Sequence, residues 1–254
     1  MSDYGRFIWY EFITTDTKAA ESFYQKVIGW KTSDAGMTDR SYTLLWAGEA
    51  MVGGILPTPP TAAGLPPNWM GYIGVADVDQ YAARVKAAGG AIHHGPEDIP
   101  SIGRFAVASD PFGAMFVLFR GTSELGPPAA PPNTPGLAGW HELHAGNVDK
   151  AWEFYSGLFG WKKEQAMDMG AMGVYQIFSM GGPPEGGMMT KTPQTPHPFW
   201  LFYFNVEAID AAAERVKTNG GKILMGPSEV PGGSWIVNCL DPQNAAFALV
   251  ALKR

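Results

Sequence analysis

The segment FYQKVIGW at residues 23–30 returns as FYSGLFGW at residues 154–161. The tryptophans that close the two segments, Trp30 and Trp161, lie 161 − 30 = 131 positions apart. The same spacing joins further pairs: Trp9 with Trp140, Glu11 with Glu142, Trp69 with Trp200, Asp79 with Asp210, and Val85 with Val216. Matches in this order, which we interpret as free of gaps across the half, indicate an internal duplication.

The duplication predicts two domains, residues 1–122 and 138–254, joined by a linker at residues 123–137. The linker contains GPPAAPPNTPG at residues 126–136. Proline removes backbone donors and favours extended chain, so we expect a semi-stiff connection.

Each half repeats one plan twice, a strand, a helix and three strands. An alternating apolar run at residues 7–13 precedes a helix that places Phe23 and Tyr24 on one face. Asp16 is suited to cap the start of this helix and Gly29 to follow its end. The pattern predicts an α+β fold made of four βαβββ modules.

Composition narrows the functional classes. A net charge of −6 argues against nucleic acid or an anionic membrane as a partner. No window resembles a membrane helix or a signal peptide, and the one cysteine, Cys239, forms no internal disulfide. We therefore expect a reduced cytoplasmic protein.

The quoted residues resemble the vicinal oxygen chelate superfamily of glyoxalases, bleomycin-resistance proteins and extradiol dioxygenases. The resemblance depends on Asp16 before the first helix, on Gly29 after it, and on the turn DPFG at residues 110–113. The chain is most similar to the tandem glyoxalase-like branch, which includes mycobacterial secreted-antigen-like and antibiotic-pathway proteins. The resemblance implies mixed sheets curled around clefts, helices outside them, and a small-molecule ligand.

The resemblance also implies places for a divalent metal, which metal-using members hold through His, Gln or Glu. In this chain those places fall at Trp9 and Trp140, at Met70 and Leu201, at Val117 and Ala248, and in the segments Gly53-Gly54 and Gly186-Gly187. These side chains are poor ligands for such an ion. We therefore expect no cofactor, with a divalent metal at other positions as the alternative.

Strand alternation identifies the side chains that would face each cleft. Trp9, Glu11 and Ile13 share one face of the first strand, and Trp140, Glu142 and His144 share the equivalent face in the second half. We predict a ligand site with three acid–base candidates and six binding residues. They are Glu142, His144 and Glu11, followed by Trp9, Trp140, Met70, Tyr72, Tyr203 and Asn205.

Several alternatives remain open at this point. The tryptophans would also serve as core residues, the glutamates as structural ion pairs, and His144 as a structural histidine. His141 falls on the opposite face from Glu142, which leaves two metal ligands where catalytic zinc takes three. We expect His93 and His94 at the edge of a loop and Cys239 in the core.

The chemical class is likewise open between two readings. The first is a metal-free binder of an aromatic or apolar molecule. The second is a lyase or oxidoreductase of the superfamily, metal-dependent or using Glu142 and His144 for acid–base catalysis. One chain already holds four modules, so a monomer would be complete, and a homodimer is the alternative.

Overall fold

The structure is a computed structural model that describes residues 4–37, 40–122 and 130–254. Residues 123–129, about half of the predicted linker, lie outside the described residues. The remainder of the chain has an α+β fold in which strands predominate, as the sequence predicts.

The described part of the first half contains eight strands and two helices, in the predicted order. They are β1 (Phe7–Thr14), α1 (Thr17–Val27), β2 (Lys31–Asp34), β3 (Thr43–Ala47), β4 (Ala50–Pro57), β5 (Asn68–Gly74), α2 (Val78–Ala87), β6 (Ala91–Ile99), β7 (Gly103–Ser109) and β8 (Met115–Gly121).

The second half follows the same order. Its elements are β9 (Ala138–Ala145), α3 (Val148–Phe159), β10 (Lys162–Asp168), β11 (Val174–Ser179), β12 (Pro184–Thr190), β13 (Phe199–Asn205), α4 (Ile209–Thr218), β14 (Lys222–Glu229), β15 (Trp235–Leu240) and β16 (Ala246–Ala251). Short 3-10 turns lie at Pro60–Ala62 and Gly170–Met172.

The strands form two mixed sheets with the same topology. One has the order β2-β3-β4-β1-β5-β8-β7-β6, and the other has the order β10-β11-β12-β9-β13-β16-β15-β14. The pairs β1–β4, β5–β8, β9–β12 and β13–β16 are parallel, and the hairpin pairs are antiparallel. The repeated topology confirms four βαβββ modules.

Compactness divides the chain differently from the sequence repeat. One compact unit consists of the described residues of Met1–Trp9, Met70–Pro127 and His141–Trp200. The other consists of those of Tyr10–Trp69, Pro128–Trp140 and Leu201–Arg254. We call these the first and the second compact unit. Each draws one module from each half of the sequence.

A buried hydrogen-bond chain explains several repeated residues in the second compact unit. Trp69 Nε1 donates to the Tyr24 hydroxyl over 2.9 Å, and that hydroxyl donates to Asp241 Oδ2 over 3.1 Å. Burial and then the neighbouring carboxylate raise the pKa of Tyr24 well above its usual value. The phenol therefore stays protonated and remains a donor.

The first compact unit repeats this chain with its own residues. Trp200 Nε1 donates to the Tyr155 hydroxyl over 3.0 Å, and the Asp110 carboxylate lies near that phenol while its Oδ1 accepts from the Phe112 and Ala114 amides. Burial again raises the pKa of the phenol and of the carboxyl group. The recurring Tyr, Trp and Asp-Pro positions are thus one structural device used twice.

The helix boundaries agree with the predicted caps. The side chain of Asp16 accepts from the amide of Ala19 over 3.0 Å, and α1 is followed by Gly29 at φ +91°. Asn147 caps α3 by accepting from the amide of Lys150 over 2.9 Å. Helix starts and stops in this fold are therefore encoded locally.

Two sequence expectations were wrong. The repeat is not free of gaps, because Glu11 pairs with Gly54 while Glu142 pairs with Gly187. The glycines are thus 187 − 54 = 133 positions apart. The second half therefore carries two extra residues between its first strand and this glycine.

The second correction concerns His93 and His94, which lie inside strand β6 rather than at a loop edge. The pairing of β6 with β7 shifts register around both residues, and the strand continues past Gly95 and Pro96 to Ile99. The Gly-Pro signal marks an irregularity within a strand here. Among the described residues, no helix has the length and apolar character that crossing a membrane requires.

Candidate functional site

Ring contacts identify which face of β1 lies beneath a helix. Phe12 contacts Tyr24 of α1 with ring centroids 5.3 Å apart, so Phe12 points to the helix side. Alternation then places Trp9, Glu11 and Ile13 on the opposite, helix-free face. This is the arrangement that the sequence predicts for the first strand.

Ring contacts also identify which face of β13, in the second half, lies beneath a helix. Trp200 contacts Tyr155 of α3 at 5.2 Å, which directs the even-numbered positions of β13 to the helix side. Leu201, Tyr203 and Asn205 therefore alternate onto the other face.

A buried carboxylate is the centre of the candidate site in the first compact unit. Glu142 is only 8 % exposed, although it lies on a largely apolar strand. The Tyr175 hydroxyl donates to its Oε2 over 2.9 Å. A carboxylate in such a position is costly unless polar groups surround it, and Tyr175 supplies one of them.

A glycine makes this contact possible. Gly187 lies beside Glu142 in the parallel pair β9–β12. A Cβ atom on Gly187 would lie 2.2 Å from ring atoms of Tyr175. The phenol therefore occupies the space that a side chain at position 187 would take.

His144 is the second polar group at this carboxylate. Its Nε2 lies 2.9 Å from Glu142 Oε1, and its ring stacks on Phe199 with centroids 4.7 Å apart and planes 3° apart. The separation is that of an ion pair, yet neither ring nitrogen makes a hydrogen bond with any described residue. Both nitrogens are buried, so the imidazole retains unused hydrogen-bonding capacity.

The second compact unit carries a related but simpler arrangement. Glu11 lies beside Gly54 in the pair β1–β4, and a Cβ atom on Gly54 would lie 2.2 Å from the Tyr42 hydroxyl. The position equivalent to His144 is Ile13, which has no ionisable group. Of these two equivalent strands, β9 therefore carries a carboxylate and an imidazole on this face, and β1 carries a carboxylate alone.

The other predicted binding residues lie on the expected strands with different environments. Trp9 and Trp140 are partly exposed, whereas Met70, Tyr72 and Tyr203 are buried. Tyr72 meets Phe119 edge-on at 5.8 Å in the first compact unit. Their ligand contacts remain a prediction.

Asn205 has structural partners in the second compact unit. Its Nδ2 donates to the Leu137 carbonyl over 3.1 Å, and its backbone carbonyl accepts from the Gly136 amide over 2.8 Å. These bonds fix the chain that enters β9. Asn205 therefore holds the end of the linker segment, whatever contact with a ligand it also makes.

His141 lies apart from the carboxylate, as alternation predicts. Its ring stacks on Phe7 at 4.6 Å, and its Nδ1 donates to the Glu185 carbonyl over 2.8 Å. The pKa of His141 is lowered to about 4. Burial is the main cause, the hydrogen bond to the Glu185 carbonyl opposes it, and the charge of Arg6 lowers the pKa further. The imidazole is thus neutral at physiological pH.

Other reactive side chains do not add to the site. Cys239 is buried, and burial raises the pKa of its thiol to about 12. His93 Nε2 lies 2.9 Å from the Ser109 hydroxyl, and His94 Nε2 lies 2.7 Å from Glu97. In the described part of the chain, no three His, Cys, Asp or Glu side chains form a group that could hold a metal ion.

Sequence reasoning identified Glu142 and His144 but missed Tyr175, Gly187 in its packing role, and Phe199. Tyr175 corresponds to Tyr42 only after the two-residue shift, since 175 − 42 = 133. A repeat aligned at a single spacing places Gly173 there instead. The paired Gly-Gly segments were the signal that could have revealed the shift.

Comparisons with known proteins agree with this architecture. A protein named "Putative glyoxylase CFP32" from Mycobacterium bovis is 31% identical over 246 residues, which cover 95% of this chain and 93% of that one. The anthracycline biosynthesis protein DnrV from Streptomyces peucetius is 29% identical over 262 residues, 96% of this chain and 92% of the relative.

Solved structures share the fold at low sequence identity. The Mn(II)-bound glyoxalase from Novosphingobium aromaticivorans has a TM-score of 0.69 at 16% identity, covering 100% of this chain and 84% of that chain. The 2,3-dioxygenase LapB from Pseudomonas sp. KL28 has a TM-score of 0.70 at 13% identity, covering 99% and 93%.

A family model matches the chain twice, over residues 6–118 and 138–249. These ranges cover most of the two sheets and include Glu142, Tyr175 and His144. The chain belongs to the Glyoxalase/Bleomycin resistance protein/Dioxygenase superfamily, as a tandem pair of glyoxalase-like domains.

Proposed function

We propose that the protein binds a small planar aromatic molecule at the Glu142 site without a metal ion. The observation that carries the proposal is the state of His144. Its Nδ1 is buried and makes no hydrogen bond with the described residues, while its Nε2 lies 2.9 Å from Glu142. A buried polar atom without a partner is destabilising, and a ligand hydroxyl or carbonyl group would satisfy it.

Aromatic packing supports a flat ligand. His144 already stacks on Phe199, and the Tyr175 ring lies over the backbone of Gly187. Sites for small molecules combine such apolar rings with a few placed polar groups. The name of the relative DnrV, an anthracycline biosynthesis protein, agrees with a ligand of this type.

The residues at the family's metal positions do not fit a divalent ion. Trp, Val, Leu and Ala offer no donor for it, and methionine sulfur suits soft metals only. Glu142 and His144 are two ligands, whereas a catalytic zinc ion takes three from the protein. In this proposal the carboxylate and imidazole orient the ligand directly.

Titration with dihydroxyanthraquinone, followed by quenching of tryptophan fluorescence, tests the proposal. His144→Phe keeps a ring against Phe199 but removes both nitrogens. We therefore expect the affinity to fall at least ~10-fold, which corresponds to the loss of one hydrogen bond. Glu142→Gln should weaken it similarly. Quenching that is absent in the parent protein, or equal in the parent and both variants, contradicts the proposal.

His94→Ala is the matched control. His94 lies on β6, where its Nε2 lies 2.7 Å from Glu97. This variant should bind dihydroxyanthraquinone as the parent does.

A second candidate function is favoured by the 2.9 Å separation of Glu142 and His144. A carboxylate beside an imidazole is the arrangement of a general acid–base pair, so the same residues could move a proton on the bound ligand. Incubation of a hydroxyquinone in heavy water distinguishes the two functions. Exchange of a carbon-bound ring hydrogen for deuterium, measured with saturating ligand, supports catalysis if it disappears in Glu142→Gln, and saturation without such exchange supports the binder.

A further inference from the structure

A cavity lies within the second compact unit, at the C-terminal end of α1. Its volume is about 350 Å³, and it is open to solvent. Its walls combine apolar and charged side chains with glycine backbone. They include Lys26, Ile28, Trp30, Gly136, Glu207 and Arg215.

The charges of this cavity are held without mutual pairing. Arg215 is fixed because its Nε and Nη2 donate to the Val27 carbonyl over 3.0 and 2.9 Å. Lys26 and Glu207 form no ion pair with any residue among 4–37, 40–122 and 130–254. Two cations and one carboxylate therefore face the same space and remain available to a ligand.

The internal duplication shows how the other copy fills the same position. In the first compact unit, Arg84 occupies the place of Arg215 and donates to the Gly157 and Leu158 carbonyls over 3.0 and 2.9 Å. The Tyr81 ring covers the Arg84 guanidinium at 4.5 Å. Tyr81 in turn stacks on Phe159 at 5.9 Å with the planes 13° apart.

The second compact unit lacks this aromatic cover. At a spacing of 131 positions, Tyr81 corresponds to Ala212 and Phe159 to Ile28. Arg215 keeps the helix-end contact of Arg84 but has no ring above it in the described structure. The same spacing introduces Lys26 where the first copy has Gly157, and Glu207 where it has Ala76.

Trp30 and the segment before β9 form the floor of the cavity. Trp30 Nε1 donates to the Gly136 carbonyl over 2.8 Å, and Gly136 has φ +88°. A Cβ atom at Gly136 would lie 2.7 Å from the Ala47 Cβ. The floor is thus a packed surface rather than a gap between loose segments.

We propose that this cavity binds a small aromatic carboxylate. The ligand ring would lie over Arg215, as Tyr81 lies over Arg84 in the other copy, and gain a cation–π contact. Its carboxylate pairs with Lys26, and its edge packs on Ile28 and Trp30. Glu207 accepts a hydrogen bond from a ring hydroxyl, which selects hydroxylated rings over plain ones.

Titration of the full-length, ¹⁵N-labelled protein with para-hydroxybenzoate tests this site by NMR. We expect saturable shifts of the Gly29, Gly48 and Gly136 amides, which line the cavity. Benzoate should bind more weakly, because it offers no donor to Glu207. Absence of saturation, or shifts confined to other parts of the chain, overturns the proposal.

Two charge variants provide the matched comparison. Lys26→Ala removes an exposed side chain and should weaken binding at least ~10-fold, as expected for loss of a charge-assisted contact. Lys217→Ala, on α4, removes an exposed lysine outside the cavity and should leave binding unchanged. Equal effects of the two variants would show nonspecific attraction and contradict the site.

Ala212→Tyr restores the ring found in the other copy and should abolish the shifts by covering Arg215. Ala212 is fully buried, so this variant must first show the native spectrum. If it does and para-hydroxybenzoate still binds with unchanged affinity, the ring-over-arginine geometry is wrong. If Ala212→Tyr does not fold, the comparison of Lys26→Ala with Lys217→Ala tests the proposal.

Discussion

The hydroxyl of Tyr175 donates to Glu142 Oε2 over 2.9 Å, through space that is open only because residue 187 is glycine. This contact links the pairing of two strands to the environment of a buried carboxylate. The parallel pair β9–β12 brings Gly187 beside Glu142, and the phenol lies where a Cβ atom would be. The burial of the carboxylate and the packing of the sheet therefore depend on the same residue.

Gly187→Ala should displace Tyr175 and destabilise the protein. The new Cβ atom would lie 2.2 Å from the phenol ring, so we expect a loss of about 1–3 kcal/mol in the free energy of unfolding. Urea denaturation followed by circular dichroism measures it.

Gly157→Ala provides the control for glycine replacement. Gly157 lies in α3, and no atom lies within 4 Å of its ideal Cβ position. Because alanine favours helices, this variant should be more stable by up to about 1 kcal/mol. An equal loss of stability in both variants would contradict the proposed packing at Gly187.

Removal of either buried phenol hydroxyl should destabilise the protein, and more so at Tyr24, whose hydroxyl also donates to Asp241. Tyr24→Phe leaves Asp241 Oδ2 and the Trp69 indole N–H without this partner, and Tyr155→Phe leaves the Trp200 indole N–H without it, so each should cost about 1–3 kcal/mol. Thermal and urea unfolding give the comparison.

Tyr81→Phe is the control for these substitutions, because its ring stacks on Phe159 and carries the contact with Arg84 without the hydroxyl. We expect its stability to match the parent. A negligible loss in either Tyr24→Phe or Tyr155→Phe would show that its hydroxyl contributes little.

His141 should make stability depend on pH between about 4 and 6.5. Its pKa in the folded protein is about 4, below the usual value near 6.5 of an unfolded chain. In this interval the unfolded state binds the extra proton, so stability rises with pH. The stabilisation is complete above pH ~6.5, and about 3 kcal/mol of it is lost as the pH falls to ~4.

Two measurements check this dependence. The ring protons of His141 should show no titration by NMR above pH ~5, in contrast to an ordinary histidine. His141→Phe keeps a ring against Phe7 and should flatten the acid-side fall in stability. Titration of His141 near its usual pKa would refute the buried, neutral imidazole.

Cys239 should be unreactive in the native protein. Its thiol is fully buried and its pKa is raised to about 12 by burial, so almost no thiolate forms at pH ~8. Ellman's reagent should label it only after unfolding in denaturant. Rapid labelling of the folded protein would show that β15 opens readily.

Much of the fold could be predicted because its signals are local. Asp16 and Asn147 cap their helices, Gly29 follows α1, and alternation directs Phe12 to the helix side. The predicted ends of the strands were less accurate. Gly95 and Pro96 are typical of a turn, yet β6 continues through both residues.

The candidate site was predictable only in part, because it depends on register. Glu142 and His144 share a face by simple alternation, and the structure brings them together. Tyr175 reaches Glu142 because β11 pairs with β12 and β12 pairs with β9. The two-residue shift in the repeat hides the correspondence between Tyr175 and Tyr42 in the sequence. The compact units are also nonlocal, since each combines modules from both halves, which the sequence repeat does not indicate.

Metal-free binding is tested directly by the affinity of dihydroxyanthraquinone for protein stripped of metal by a chelator, compared with the same protein loaded with Mn(II) and freed of excess ion. We expect equal affinities in the two samples and weaker binding in His144→Phe under both conditions. Binding that requires a stoichiometric divalent ion, or binding that His144→Phe leaves unchanged, would contradict it.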